Sequence, residues 1–531
     1  MQKTLDTPRA LPDTFLRMQM RTPGSESKFW MLGLVLALVA MGWSFSRDFT
    51  APWTDNVDAN GAAWSQSAHN TLRAGLRATA GVPSAFYFGS LAIPPEGFYT
   101  HHPPTLSLML AGIFAVFGER EWIARLLPVV FSITGAVLLW ILVKQCAGLR
   151  AAAFATIVFA SAPMELVYGR MVNFEPLVLV WMLAALLTLR RWESSGSAAW
   201  RNATAVFLLL AMWTAWLGFL FALTLCAYFL TARRDRHPRF ALSLLALAGM
   251  SLVLFFLHIR LANPNAWTDL MESFKERLAH TGIAITWSDW GKRMAASLAD
   301  HIAPVAWALG AAGAVVSWRR RKMDASLRWL AWAALCIAGF SAFYVTVFRN
   351  ASMIHDYASF FFTVPVAMMA GIALDALAVW CDARGRGWRM AGIFTALGLC
   401  LFLIVAGERQ ALALRRPFRI LDGEKAEADD LIPALGRAIR VHFPEDTNVV
   451  CNFLRSYGPQ LHYYAQRDLI GGVITAEDWT EILADESNAP AGGVIWTGDP
   501  DAADVLAKLP GGASQDIVIG GEHFVFWSPV R

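Results

Sequence analysis

The sequence predicts an all-α polytopic membrane domain of about eleven transmembrane helices, with interfacial helices in its first outer loop, followed by a small C-terminal α/β soluble domain. Three observations carry this. Hydrophobic residues make up 56% of the 531 residues and charged ones 16%, whereas soluble domains average about 45–50% apolar and roughly 25% charged. Apolar runs near the length that crosses a bilayer recur from residue 29 to residue 406. Beyond residue 406 the chain turns polar and its pattern alternates between helix-like and strand-like pieces.

The apolar runs lie at about 29–47, 122–143, 151–168, 174–189, 203–231, 240–259, 300–317, 327–348, 354–380 and 388–406. The basic N-terminus (Lys3, Arg9, Arg17, Arg21, Lys28) precedes the first run, and no A-x-A-like cleavage site follows it. That pattern predicts a retained first helix after a cytoplasmic segment 1–28. Lys and Arg concentrate in Lys144–Arg150, Arg190–Arg201, Arg233–Arg239, Arg319–Lys322 and Arg384–Arg389, which assigns those loops to the cytoplasmic side. Parity then requires 203–231 to turn near Trp213–Trp216 as two short helices. It places the loops 48–121, 169–174, 260–299 and 349–357 on the outer side, together with the domain 407–531. The stretch 104–117 is short and follows two prolines, which predicts an interfacial or re-entrant helix.

The net charge of +4 is small for the length and gives no reason to expect a nucleic-acid partner. Six cysteines at 146, 226, 336, 381, 400 and 451 lack ligand spacing, against a zinc site or disulfide framework. P-loop, G-x-G-x-x-G and G-x-S-x-G fingerprints are missing, which removes the sequence case for nucleotide-driven chemistry or a serine nucleophile.

Four polar clusters fall on the outer side. Asp58 precedes a predicted helix over Gly61–Ala78, with Asp55 three residues earlier competing for the same role. The bland reading of Asp58 is a helix N-cap. Tyr99-Thr-His-His-Pro-Pro104 carries His101 and His102, suited to holding phosphate, moving a proton or meeting the interface. Arg170 and Glu175 sit at the lip of two spans, where ionisable groups are costly unless solvated or paired; a surface ion pair is the plain alternative. Arg349, His355, Asp356 and Tyr357 form the fourth cluster, suited to a phosphate and a polar head group, or to ordinary loop polarity with Tyr357 in the aromatic belt. The predicted spans hold few charges (Asp375 is an exception), which favours chemistry at the interface over transport through the core.

These residues resemble the superfamily C membrane glycosyltransferases, nearest to the protein O-mannosyltransferase and lipid A aminoarabinose transferase branch. The likeness rests on the early acid, the A-x-N-x-L-x-x-G run at Ala68, Asn70, Leu72 and Gly75, and His102-Pro103-Pro104. It continues with Phe117-Gly118, Trp122, Ala124-Arg125-Leu126 and Arg170-x-x-x-x-Glu175, covering about residues 29–190. The resemblance implies a transmembrane glycosyltransferase domain over 29–406. It also implies inverting transfer of a sugar from a polyprenyl-phosphate donor to a hydroxyl on a protein, lipid A or glycan. The setting would be the outer face of a bacterial inner membrane. Asp58 looks like the base, with Asp55 and Glu175 as further acids. Arg170, His101, His102 and Arg349 are candidates to stabilise the phosphate, and His355-Asp356-Tyr357 is similar to a motif before a late span. No cofactor is certain. A divalent cation, Mg or Mn, would fall to Asp58 and Glu175, since branches of the superfamily differ in metal use. A flippase of lipid-linked precursors is the alternative function, and a non-catalytic scaffold using 407–531 to bind a partner is a third.

Overall fold

The computed structural model describes residues 24–54, 57–84, 93–231, 238–278, 285–322, 324–415, 431–445, 447–453, 458–471, 475–484 and 492–529. Asp55 and nearly all of the 1–28 segment lie outside them. The chain is an integral multi-pass membrane protein. Helices α1 (Gly24–Ser46), α4 (Glu121–Ala147), α10 (Pro238–Ala262), α14 (Ala325–Val347) and α17 (Arg386–Leu414), together with the run Asp356–Asp382, are long and apolar enough to cross a bilayer. A seventh candidate is a bent pair: α12 (Trp287–His301) meets α13 (Pro304–Arg320) at 94°. Helix α12 keeps Met294, Ser297 and His301 inward and exposes Trp287. The predicted outer loop 260–299 therefore ends in an interfacial helix turned by Pro304.

The other expected crossings are shorter or more buried. Residues 203–231 form α8 (Ala198–Thr214) and α9 (Trp216–Thr231), broken at Ala215 where the pair was predicted to turn. The predicted span 151–168 divides at Ser161-Ala162 into α5 (Leu149–Ala160) and α6 (Pro163–Tyr168), because a proline starts a new helix more readily than it continues one. Helix α7 (Phe174–Ser195) is buried along almost its whole length and forms the centre of the bundle. A central helix of this kind meets protein on all sides, so its first turn can carry a polar group away from lipid.

In the first long loop, the helix expected over Gly61–Ala78 begins earlier, as α2 (Asp58–Ala74), and stops at Gly75, whose φ is +85°. A single turn, Leu76–Thr79, follows. Helix α3 (Thr105–Phe117) starts directly after Pro103-Pro104, as predicted. Helix α4 has 27 residues, about 40 Å at 1.5 Å per residue. Its N-terminus lies at the Asp58 loop. Its C-terminus lies beside the basic loops, where Arg150 binds Asp375 (2.6 Å) and Asp382 (3.2 Å). That ion pair gives the intramembrane Asp375 its partner.

Helix α11 (Ala266–Leu278) and the short α15 (Arg349–Ile354) complete the site end of the bundle. The C-terminal region packs α18 (Leu431–His442) and α19 (Gly458–Ala465) against a five-stranded sheet of order β2-β1-β3-β5-β4. Strand β1 (Asn448–Cys451) runs parallel to β2 (Asp468–Gly471) and β3 (Gly492–Trp496). The hairpin β4 (Gly512–Ile519) and β5 (Glu522–Pro529) adds antiparallel to β3. Alternation sorts the two faces: Val449 and Cys451 join the main core, while Val450 packs with Trp479, Ile495 and Trp527 in a satellite core.

Helices α13 and α16 (Thr363–Asp382) cross closely at Gly313, where an added Cβ would drive into the Met369 carbonyl. Gly313→Ala should lower stability by about 1–3 kcal/mol, read as thermal unfolding in detergent. Gly398→Ala, with open space around it, should be close to neutral or better in the same assay.

Candidate active site

Asp58 is the first residue of α2, and the N-cap position belongs to Val57. The N-cap reading is thereby corrected. Its carboxylate turns instead to Arg125, whose Nη2 donates to Oδ1 at 3.1 Å, while the Thr54 amide donates to Oδ2 at 3.3 Å. Arg125 projects from the second turn of α4 and is 1% exposed. Its guanidinium also donates to the carbonyls of Phe49 (3.1 Å), Ala51 and Pro52 (3.3 Å). It lies 4.1 Å over the Trp53 ring as well. One cation thus gathers Phe49, Ala51, Pro52, Trp53 and Asp58 around itself. Trp53 in turn lies against Gly61, where a Cβ would come within 2.5 Å of its ring.

A second cluster forms where loops before α3, α7 and α16 converge. Arg277, in the last turn of α11, donates to Tyr99 Oη and to His102 Nε2, both at 3.3 Å. Asn350 donates to the Glu276 carbonyl at 2.7 Å and so fixes the end of the helix from which Arg277 projects. The His102 ring stacks on Phe174 (4.3 Å) and on Tyr99 (5.8 Å), and its Nδ1 is buried without a partner among the described residues. Nε2 accepts from Arg277, so the proton of the neutral ring belongs on Nδ1. The His101 ring meets Tyr99 edge-on, and its carbonyl accepts from the Trp216 indole at 2.7 Å. His355 stacks on Tyr357 at 4.9 Å.

Burial, then the charge of Arg277, lowers His101, His102 and His355 below the ordinary histidine value, His102 furthest. Burial raises the Tyr99 hydroxyl, with Arg277 opposing it. The cluster therefore holds neutral imidazoles and phenols around one cation.

Glu175 occupies the first turn of α7, 4% exposed, with Oε2 lacking a hydrogen-bond partner among the described residues. It is near enough to act on the hydroxyls of Tyr344 and Tyr357, and Tyr357 also meets Asn60, one turn into α2. Tyr99, His101, His102, Glu175, His355 and Tyr357 are thus brought together around Arg277, with Asn60 linking them to the helix that Asp58 begins.

Three predicted residues sit elsewhere. Arg170 binds the main-chain carbonyls of Phe45 and Arg47 at the end of α1. Arg349 lies 4.1 Å over the Trp287 ring of the interfacial helix. Asp356 is paired with Arg293 at 2.7 Å. Among the described residues no three His, Cys, Asp or Glu side chains converge as a metal cluster.

Sequence reasoning missed Arg277 and gave Arg125 no role beyond its motif. Arg277 had a signal: a cation ending an amphipathic helix in an outward loop runs against the usual charge bias.

The sequence matches the dolichyl-phosphate-mannose-protein mannosyltransferase family over residues 101–259. No curated protein sequence matches the chain. In fold it is similar to ArnT from Cupriavidus metallidurans bound to undecaprenyl phosphate. That match has a TM-score of 0.63 and 14% identity, covering 94% of this chain and 98% of that one. The apo state of the same protein gives 0.62 at 15% identity, covering 95% and 98%. The apo oligosaccharyltransferase of Archaeoglobus fulgidus gives 0.58 at 14% identity, covering 88% of this chain and 69% of that one.

The lowered histidines set a pH dependence. The unfolded chain takes up protons at the ordinary histidine value while the folded chain resists, so stability falls on acidification through that range. Thermal unfolding should show a drop between about pH 7.5 and about pH 5. His102→Gln, which cannot titrate, should shrink the drop; an unchanged drop would remove His102 from the account.

Proposed function

We propose that the chain is a superfamily C membrane glycosyltransferase that moves a sugar from a polyprenyl-phosphate carrier to a hydroxyl acceptor, a reading supported by its fold and by the family match over residues 101–259. The observation that carries this reading is the set of partners around Arg277. Among the described residues it binds Tyr99 and His102, neither of them anionic. Its charge is left to meet an incoming anion. A phosphate seated there would accept from the guanidinium, the Tyr99 hydroxyl and the His102 Nδ1–H.

The chemistry follows from the leaving group. Breaking the anomeric C–O bond leaves its electron pair on a phosphate oxygen, so cationic and dipolar stabilisation serves better than protonation. The acceptor oxygen attacks the anomeric carbon from the opposite face, giving inversion, and its proton passes to a carboxylate. Asp58 suits that role: Arg125 holds Oδ1 at 3.1 Å and the Thr54 amide donates to Oδ2 at 3.3 Å, which fixes the direction of the carboxylate at the start of α2. Glu175 offers an open acceptor for a sugar hydroxyl near Tyr357. Should a divalent cation take part, Asp58 and Glu175 are the acids nearest this chemistry.

The acceptor is a protein, lipid A or a growing glycan, and the site faces the outer side of a bacterial inner membrane, in line with the basic loops at the opposite end of α4. ArnT, named above with bound undecaprenyl phosphate, supports a lipid phosphate of that kind.

Asp58→Asn keeps an amide oxygen for Arg125 and should fold, yet transfer from polyprenyl-phosphate sugars should fall about 10²–10⁴-fold. Arg277→Ala should weaken undecaprenyl phosphate binding about tenfold or more. Full transfer by Asp58→Asn would remove it as base. Movement of the lipid across vesicles with no glycosyl product would point to a flippase.

A further inference from the structure

The C-terminal α/β domain touches the Asp58 loop through side chains that the transfer reading leaves unused. Tyr464, on α19, accepts a hydrogen bond from the Trp53 amide at 2.7 Å and donates one to Glu121 Oε1 at 2.8 Å. Tyr463 beside it meets the Trp53 ring edge-on at 6.4 Å. Glu121 and Arg125 are four residues apart at the start of α4, so they share one helix face. Arg125 grips the loop directly, and Glu121 grips it through Tyr464. The same α19 packs Leu461 and Ala465 into the main core and is joined to the sheet domain. Burial and the Glu121 carboxylate raise the Tyr464 hydroxyl above the ordinary phenol range, so it stays a donor.

We propose that Tyr464 is a positioning residue through which the C-terminal domain holds residues 49–54, and with them Asp58, against the start of α4. The domain then acts on the reaction without touching substrate: when it is seated, the Trp53 amide is satisfied and the Arg125 clamp is complete. When it is displaced, a buried amide and the Glu121 carboxylate both lose their partner, and the loop loosens. The proposal rests on the transfer reading only in naming Asp58 as the group being positioned.

The test uses the full chain in lipid nanodiscs and hydrogen–deuterium exchange over residues 49–58, for wild type, Tyr464→Phe, Glu121→Gln and Glu121→Ala. Tyr464→Phe should speed exchange there about tenfold, the scale of one buried hydrogen bond, while the sheet amides of β1, β3 and β5 keep their protection. Glu121→Gln keeps an accepting oxygen and should stay near wild type. Glu121→Ala should track Tyr464→Phe, and combining the two should add little. Unchanged exchange in Tyr464→Phe would overturn the proposal. So would loosening of the sheet to the same degree, or a Glu121→Gln variant as loose as Glu121→Ala. Binding of undecaprenyl phosphate by the same wild-type samples separates the two claims. Its failure would sink the transfer reading and leave the latch standing.

Discussion

The architecture of the site end depends on a single buried guanidinium. Arg125 enters from the second turn of α4 with 1% of its surface exposed, and an ion so placed costs several kcal/mol unless its donors are matched. The loop before α2 supplies the match. It turns three carbonyls, one carboxylate and an indole face toward the cation. A loop without regular structure thereby acquires a fixed path, and Asp58 acquires a fixed direction at the N-terminus of α2. The close approach of Trp53 to Gly61 transmits that path into the helix itself.

The second cluster is built on the opposite principle. Among the described residues, the hydrogen-bond partners of Arg277 are Tyr99 and His102, and the buried Glu175 Oε2 and His102 Nδ1 lack hydrogen bonds. Such groups weaken the free protein, and they are grouped at one place, between the lip of the central helix α7 and the loop before α16. The two clusters differ in how they use a cation: Arg125 is matched to a carboxylate and carbonyls, and Arg277 to a phenol and an imidazole.

Much of this was legible in sequence. The membrane class followed from apolar runs, the break at Ala215 from charge parity, and the helix after Pro103-Pro104 from proline chemistry. The alternation of helix-like and strand-like pieces after residue 406 is legible in the sequence, whereas α19 and β2 lack a clear run of their own. The destinations of charged side chains were the less legible part. Arg170 looked like a ligand for phosphate but binds carbonyls at the end of α1, and Arg349 rests on Trp287. Local sequence shows that a cation sits at an interface; it does not show which distant segment will satisfy it. Arg277 and Tyr464 illustrate the same limit, since their partners lie 178 and 411 residues away.

The measurement that bears most directly on the central claim is a double-mutant cycle between Asp58 and Arg125, read as unfolding free energy of the full chain in detergent. Asp58→Ala, Arg125→Met and the double variant complete it with wild type. The account predicts a coupling of about 1.5–3 kcal/mol, with the double variant less destabilised than the sum of the singles. Additivity to within about 0.5 kcal/mol would contradict it, for Arg125 would then support the bundle without holding the carboxylate.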